Sequence, residues 1–170
     1  MKNVLLSGPP RIGKTTIIHK IINKMNKECA GFYTEEMRKS GQRVGFKLVS
    51  LANESCIMSH KRIKSRYRVG TYRVDIACVE KIGVAAIRRG IEKSNIIVID
   101  EIGKMELFSK EFQDIVLKAL DAPLPVLATI LSRPHTFCDT IKDRYDVEII
   151  EVTHANRDSL PDIIVKKLAQ

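Results

Sequence analysis

Tryptophan is absent and aromatic residues make up only 5% of the 170-residue chain, and no RNA-recognition, helix-turn-helix or zinc-finger pattern is visible. No apolar run reaches the roughly 18 residues a membrane span needs. The N-terminus enters a strand within three residues, which leaves no room for a signal peptide and predicts a soluble, cytoplasmic protein without a membrane partner. The cysteines, Cys29, Cys56, Cys78 and Cys138, lack CxxC spacing and nearby histidines. That pattern argues against a zinc site or a redox pair and predicts four reduced, mostly buried thiols. Repeats, low-complexity stretches and linkers are also missing, so a single domain over residues 1–170 is expected, with 44% hydrophobic residues to build its core.

What is present begins with Gly8 to Thr15, GPPRIGKT, directly after the apolar run Val4, Leu5, Leu6 and directly before a helical pattern. Gly8 and Gly13 permit a turn that wraps backbone N–H groups of Gly8, Pro10-flanked Arg11, Ile12, Gly13 and Thr16 around phosphate oxygens, with Pro9 and Pro10 shaping the loop. Lys14 supplies a cation for the β and γ phosphates, and the Thr15 hydroxyl is a ligand for Mg²⁺. The helix that follows, with Ile17, Ile18, Ile21 and Ile22 on its buried face, adds the positive end of its dipole.

A second segment, Ile96 to Ile99 followed by Asp100 and Glu101, reads as a strand covered on both faces that ends in two acids. Asp100 is placed to hold the Mg²⁺ shell, and Glu101 to orient or deprotonate an attacking water. The pair points to hydrolysis rather than to nucleotide storage.

The remaining pattern alternates. Strands are expected at 2–7, 31–38, 96–99, 125–130 and 147–152, and helices at 13–27, 76–92, 109–121, 134–144 and 159–169. Such alternation implies an α/β fold, a mostly parallel sheet with helices on both faces. The departure lies within about 31–75. Gly41 and Gln42 read as a hairpin turn returning through Val44, Phe46, Leu48 and Leu51, and Ser55 to His60 as a further strand, followed by the run KRIKSRYR and by Val69 to Asp75. Ser159 is a candidate cap for the last helix, with Pro161 in its first turn.

The stretches GPPRIGKTT, GFYTEEMR, RVGTYRVD, VIDEIGKMELFSKEF, LATI and NRDSLPDI resemble, in order and over nearly the whole chain, the nucleoside-triphosphatase family of the thermophile and human cancer-related type. The resemblance implies a RecA-like P-loop NTPase fold, with an additional strand and a catalytic glutamate. It also implies slow, Mg²⁺-dependent hydrolysis of ATP, GTP, CTP and UTP or TTP with loose base preference. It assigns Lys14 and Thr15 to phosphate and metal, Asp100 to the metal shell, Glu101 to the catalytic base, and Gly103 and Lys104 to the nucleotide, Lys104 as a further catalytic cation. Thr129 is a candidate γ-phosphate sensor, Glu35 and Glu36 candidate crevice acids, and Asn156 and Arg157 candidate base contacts, each equally readable as ordinary structure. Family members commonly carry glycine where Arg11 stands, and Arg133 is a candidate internal finger.

The formal charge of +9 leaves nucleic acid a possible partner beside the nucleoside triphosphates. Lys61 to Arg68, KRIKSRYR, is either a solvated connection or a flap that touches phosphates or RNA. A nucleic-acid-dependent ATPase, a nucleotide or small-molecule kinase, and a nucleotide-binding switch are the competing classes. The oligomeric state stays open, a monomer being favoured.

Overall fold

The computed structural model describes residues 2–169. β1 (Asn3–Ser7) is buried along its whole length, as an apolar run covered on both faces requires. It leads through the phosphate loop into α1 (Lys14–Lys24), which buries Ile17, Ile18 and Ile21. β2 (Cys29–Lys39), β3 (Gln42–Ser50) and β4 (Ser55–His60) form an antiparallel meander, extended by β5 (Arg68–Val69) and β6 (Tyr72–Val74). α2 runs over 76–93, capped by the Asp75 carboxylate, which accepts from the Ala77 and Cys78 N–H groups, and widens into a π-helical stretch at Val79–Val84. Next come β7 (Ile96–Ile102), a 3₁₀ turn at Glu106–Phe108, α3 (Lys110–Asp121) and β8 (Val126–Ile130). The chain continues through α4 (Thr136–Lys142), β9 (Val147–Glu151) and α5 (Leu160–Ala169).

All nine strands belong to one sheet in the order β5-β6-β4-β3-β2-β7-β8-β1-β9. From β2 to β9 neighbouring strands run parallel, and from β2 to β5 antiparallel. One face carries a core in which Phe32, Leu48, Ile87, Ile97, Ile99, Phe112 and Ile141 pack together under α2, α3 and α4. The other carries Val4, Leu6, Ile18, Ile21, Val98 and Ile164 under α1 and α5. The expected parallel sheet with helices on both faces and an antiparallel insertion is therefore what the chain forms.

Several local expectations are corrected. The hairpin turn between β2 and β3 is Ser40–Gly41, not Gly41–Gln42, with φ of 49° and 76°, the two positive values that a type I′ turn requires. Leu51 lies beyond β3. The segment from Val69 to Asp75, to which the sequence pattern assigns no element, turns at Gly70 (φ 58°) as part of the β5–β6 hairpin. The Ser159 hydroxyl donates to the Asn156 carbonyl, at 3.0 Å. Cys56 and Cys78 are not free thiols: they form a disulfide, with Cα atoms 5.8 Å apart. Strand pairing brings β4 beside the start of α2, a proximity that a separation of 22 residues does not reveal. Cys29 and Cys138 remain free, and burial pushes the Cys138 thiol up to about 11.

Candidate active site

Three positive φ angles, at Gly8 (148°), Arg11 (65°) and Gly13 (112°), fold the loop between β1 and α1 into a concave ring. Close approach also constrains Gly8, since a Cβ there would stand 3.0 Å from the Val152 carbonyl oxygen. Lys14 Nζ donates to the Gly8 and Pro9 carbonyls at 2.8 and 3.0 Å, curled over the loop it belongs to. Burial lowers the Lys14 ammonium from its ordinary range, while Glu101 and Asp100 hold it up.

Across the sheet, the pairing of β7 with β8 shifts register between Ile99 and Ile102, and here the two acids leave the ladder. The Asp100 carboxylate is buried and bridges two elements: Oδ2 accepts from the Thr15 hydroxyl at 2.6 Å and Oδ1 from the Thr129 hydroxyl at 2.5 Å. Burial raises its pKa, opposed by these two hydrogen bonds and by the charges of His19 and Lys14. Glu101, partly buried, is also raised, first by burial and then by Asp100, with Lys14 opposing. Gly103 makes room for it, since a Cβ there would stand 2.3 Å from Glu101 Oε1 and 2.8 Å from its Cγ. Glu106, fully enclosed, is held well above the carboxylate range by burial and by the charge of Glu101.

The loop and both acids open onto a cleft of about 830 Å³. Its wall includes Gly8, Pro10, Arg11, Gly13, Lys14, Thr15 and Thr16, as read from sequence, together with Glu35, Glu36 and Arg133. The opposite wall comes from the insertion. Arg43 lies 5.1 Å from the Phe46 ring and 5.4 Å from the Tyr72 ring, donates to the Tyr72 hydroxyl at 3.0 Å and pairs with Glu36 at 3.1 Å. Thr129 touches Asp100 and is absent from the cleft wall, so its contact is with the acid. Ile12 is in the core, and neither it nor Pro9 lines the cleft.

Other candidates stand apart. Lys104 is exposed and lines a separate cavity beside the cleft. Asn156 accepts from the Thr153 N–H and donates to the Glu151 carbonyl, each at 2.8 Å, fastening the turn after β9; neither it nor Arg157 reaches the cleft wall. Reading the sequence missed His19, Arg43, Phe46, Tyr72 and Glu106. Glu106 sits inside DEIGKMELF, the most specific stretch of the chain, and the α1 periodicity places His19 one residue after buried Ile18. The insertion residues carry no such signal.

A nested phosphate loop between β1 and α1, with an acid from the parallel strand β7, one strand removed from β1, against its threonine, defines the P-loop NTPase α/β fold. A family model described as NTPase matches residues 3–165, and the chain belongs to that family. It is 41% identical over 165 residues to the nucleoside-triphosphatase THEP1 of Thermotoga maritima, covering 97% of this chain and 94% of that one. It is 38% identical over 180 residues to the human cancer-related nucleoside-triphosphatase, covering 96% and 95%. The crystal structure of THEP1 from Aquifex aeolicus superposes over 100% of both chains with a TM-score of 0.91 and 34% identity. The solution structure of the human protein does so over 98% and 97%, with a TM-score of 0.84 and 36% identity.

Proposed function

We propose that this chain hydrolyses nucleoside 5′-triphosphates to the diphosphate and phosphate, depends on Mg²⁺, tolerates several bases and turns over slowly. The observation that carries the reading is the 2.6 Å contact between Thr15 of the phosphate loop and Asp100 of β7, with Glu101 next in the chain and facing the same cleft.

The donor chemistry suits the metal. A hydroxyl and a carboxylate are hard oxygens, and two protein donors leave the rest of an octahedral shell to phosphate and water. Among the described residues no cluster of three or more His, Cys, Asp or Glu side chains competes for it. Thr15 and Asp100 would hold Mg²⁺, which supplies neutralisation of charge on the phosphate oxygens.

The chain's own groups do the rest. Backbone N–H groups of the loop surround the phosphates, and Lys14 exchanges its two carbonyl partners for phosphate oxygens. Glu101 orients a water for in-line attack and takes its proton; burial raises its proton affinity above that of a free glutamate, which strengthens it as a base. Thr129 holds the rotamer of Asp100. Base tolerance follows from a wall of aromatic rings and one guanidinium, because every base has a face that stacks. Slow turnover is part of the proposal: Arg43 is held against two rings and Lys104 lines a different cavity, which leaves Arg11 and Arg133 as the cleft-wall cations free to approach the phosphates. The reading needs neither nucleic acid nor a second copy. The proposal includes a cytoplasmic location; no described helix is long and apolar enough to cross a membrane.

The test is phosphate release from ATP, GTP, CTP and UTP with Mg²⁺, comparing wild type with Glu101→Gln. Turnover should fall by about 10²–10⁴ in the variant with nucleotide affinity retained. Near-normal turnover in the variant removes Glu101 from its role.

A further inference from the structure

A second cavity, of about 380 Å³, lies beside the nucleotide cleft. The tip of the β5–β6 hairpin, Val69 and Gly70, borders both, so the two spaces share one thin wall. The second cavity holds three basic side chains from three distant parts of the chain: Arg68 of β5, Lys104 after β7 and His135 before α4. No acidic residue lines it. Arg68 and Lys104 form no ion pair with any other described residue. His135 keeps its Nδ1 buried without a hydrogen-bond partner. That nitrogen itself is closed to solvent; what the cavity offers an oxyanion is a wall with two cations free of ion pairs, an imidazole and no carboxylate. The nearest carboxylate on the same helix, Asp139, is taken by Lys142 and by the His135 backbone N–H. Leu107 and an exposed Phe108, whose ring lies 5.3 Å from Tyr67, give the cavity an apolar side.

We propose that this cavity is a second phosphate site, formed by Arg68, Lys104 and His135, that takes a phosphate dianion: either the phosphate released by hydrolysis or the phosphate of a nucleoside monophosphate whose base rests on Phe108. Three basic side chains on one cavity wall and no carboxylate suit a tetrahedral oxyanion. The volume is at the lower end for small-molecule sites and exceeds what bare phosphate needs, which admits the monoester. The assignment of phosphate as the ligand rests on the triphosphatase reading, but its test does not use turnover.

With the nucleotide cleft saturated by Mg²⁺ and ADP, binding of inorganic phosphate, AMP and adenosine is measured by calorimetry on wild type, Arg68→Ser and His135→Ala. Phosphate or AMP should bind wild type and weaken by about tenfold or more in both variants, the scale of one lost charge-assisted hydrogen bond, while ADP affinity stays unchanged. AMP binding more tightly than phosphate, with adenosine silent, identifies the monoester; equal binding identifies released phosphate. No second event in wild type, or equal binding by wild type and both variants, overturns the proposal. Failure of the triphosphatase reading would show instead as absent turnover in wild type with this second event intact.

Discussion

Gly103→Ala isolates the placement of Glu101 from everything else in the site. The added Cβ would stand 2.3, 2.8 and 2.9 Å from Glu101 Oε1, Cγ and Cδ, so the carboxylate and the stem behind it must both retreat. Restoring ordinary contact displaces the carboxylate by about 1 Å, and a displacement of that size at a reacting group costs on the order of 10²-fold in rate. The expected loss in kcat is therefore about 100-fold, or roughly 2.7 kcal/mol of transition-state stabilisation. The phosphate loop, the Thr15–Asp100 contact and the far wall are untouched, so affinity for a fluorescent nucleotide should stay within about twofold. The assay pairs steady-state phosphate release with nucleotide titration and a thermal melt. A kcat within about threefold of wild type, in a variant that melts normally, refutes the claim that Gly103 exists to seat Glu101.

Gly31→Ala should cost about 4 kcal/mol or more in urea unfolding, because φ is +128° and the new Cβ would lie 1.9 Å from the Val98 carbonyl oxygen; a normal midpoint refutes the β2–β7 register. Asp146 accepts two hydrogen bonds from Arg144, both 2.8 Å, and Arg144 holds its carboxyl below the usual range. A depressed folded-state pKa gives stability that is present above the unfolded value, about 3.9, and lost as pH falls through the folded one. Asp146→Asn should therefore lose about 1–2 kcal/mol at pH 7 and flatten the acid limb below roughly pH 4, and an unchanged acid limb would count against the ion pair. Reducing the Cys56–Cys78 disulfide should remove up to about 3 kcal/mol in wild type and nothing in Cys56→Ala, read from melting curves with and without reductant. Equal melting of oxidised and reduced wild type would deny the bond a stabilising role.

The parts legible in the sequence are those whose chemistry is local in the chain. A phosphate loop must present consecutive N–H groups and a lysine from one short segment, so GPPRIGKT carries its own geometry, and the run IIVI before Asp100 announces a strand covered on both faces. The parts that escaped depend on partners far away in sequence. Period-two alternation in β3 puts Phe46 on a face without saying what that face meets, so nothing local placed Arg43 against Tyr72, 29 residues on. Glu106 looks like any surface acid until the 3₁₀ turn after β7 encloses it. Cys56 and Cys78 become neighbours only once β4 pairs with β3 and α2 crosses behind them.

β2 runs unbroken from Cys29 to Lys39, pairing with β7 through Cys29 to Phe32 and with β3 from Phe32 onward, so Phe32 hydrogen-bonds into both halves of the sheet. The wall that carries Glu36, Arg43 and Tyr72 thus grows out of a strand shared with the core sheet. A substrate meets on that side a wall continuous with the sheet, and a closing stroke during turnover would fall to the exposed side chains opposite, Arg11 and Arg133, rather than to a swinging domain.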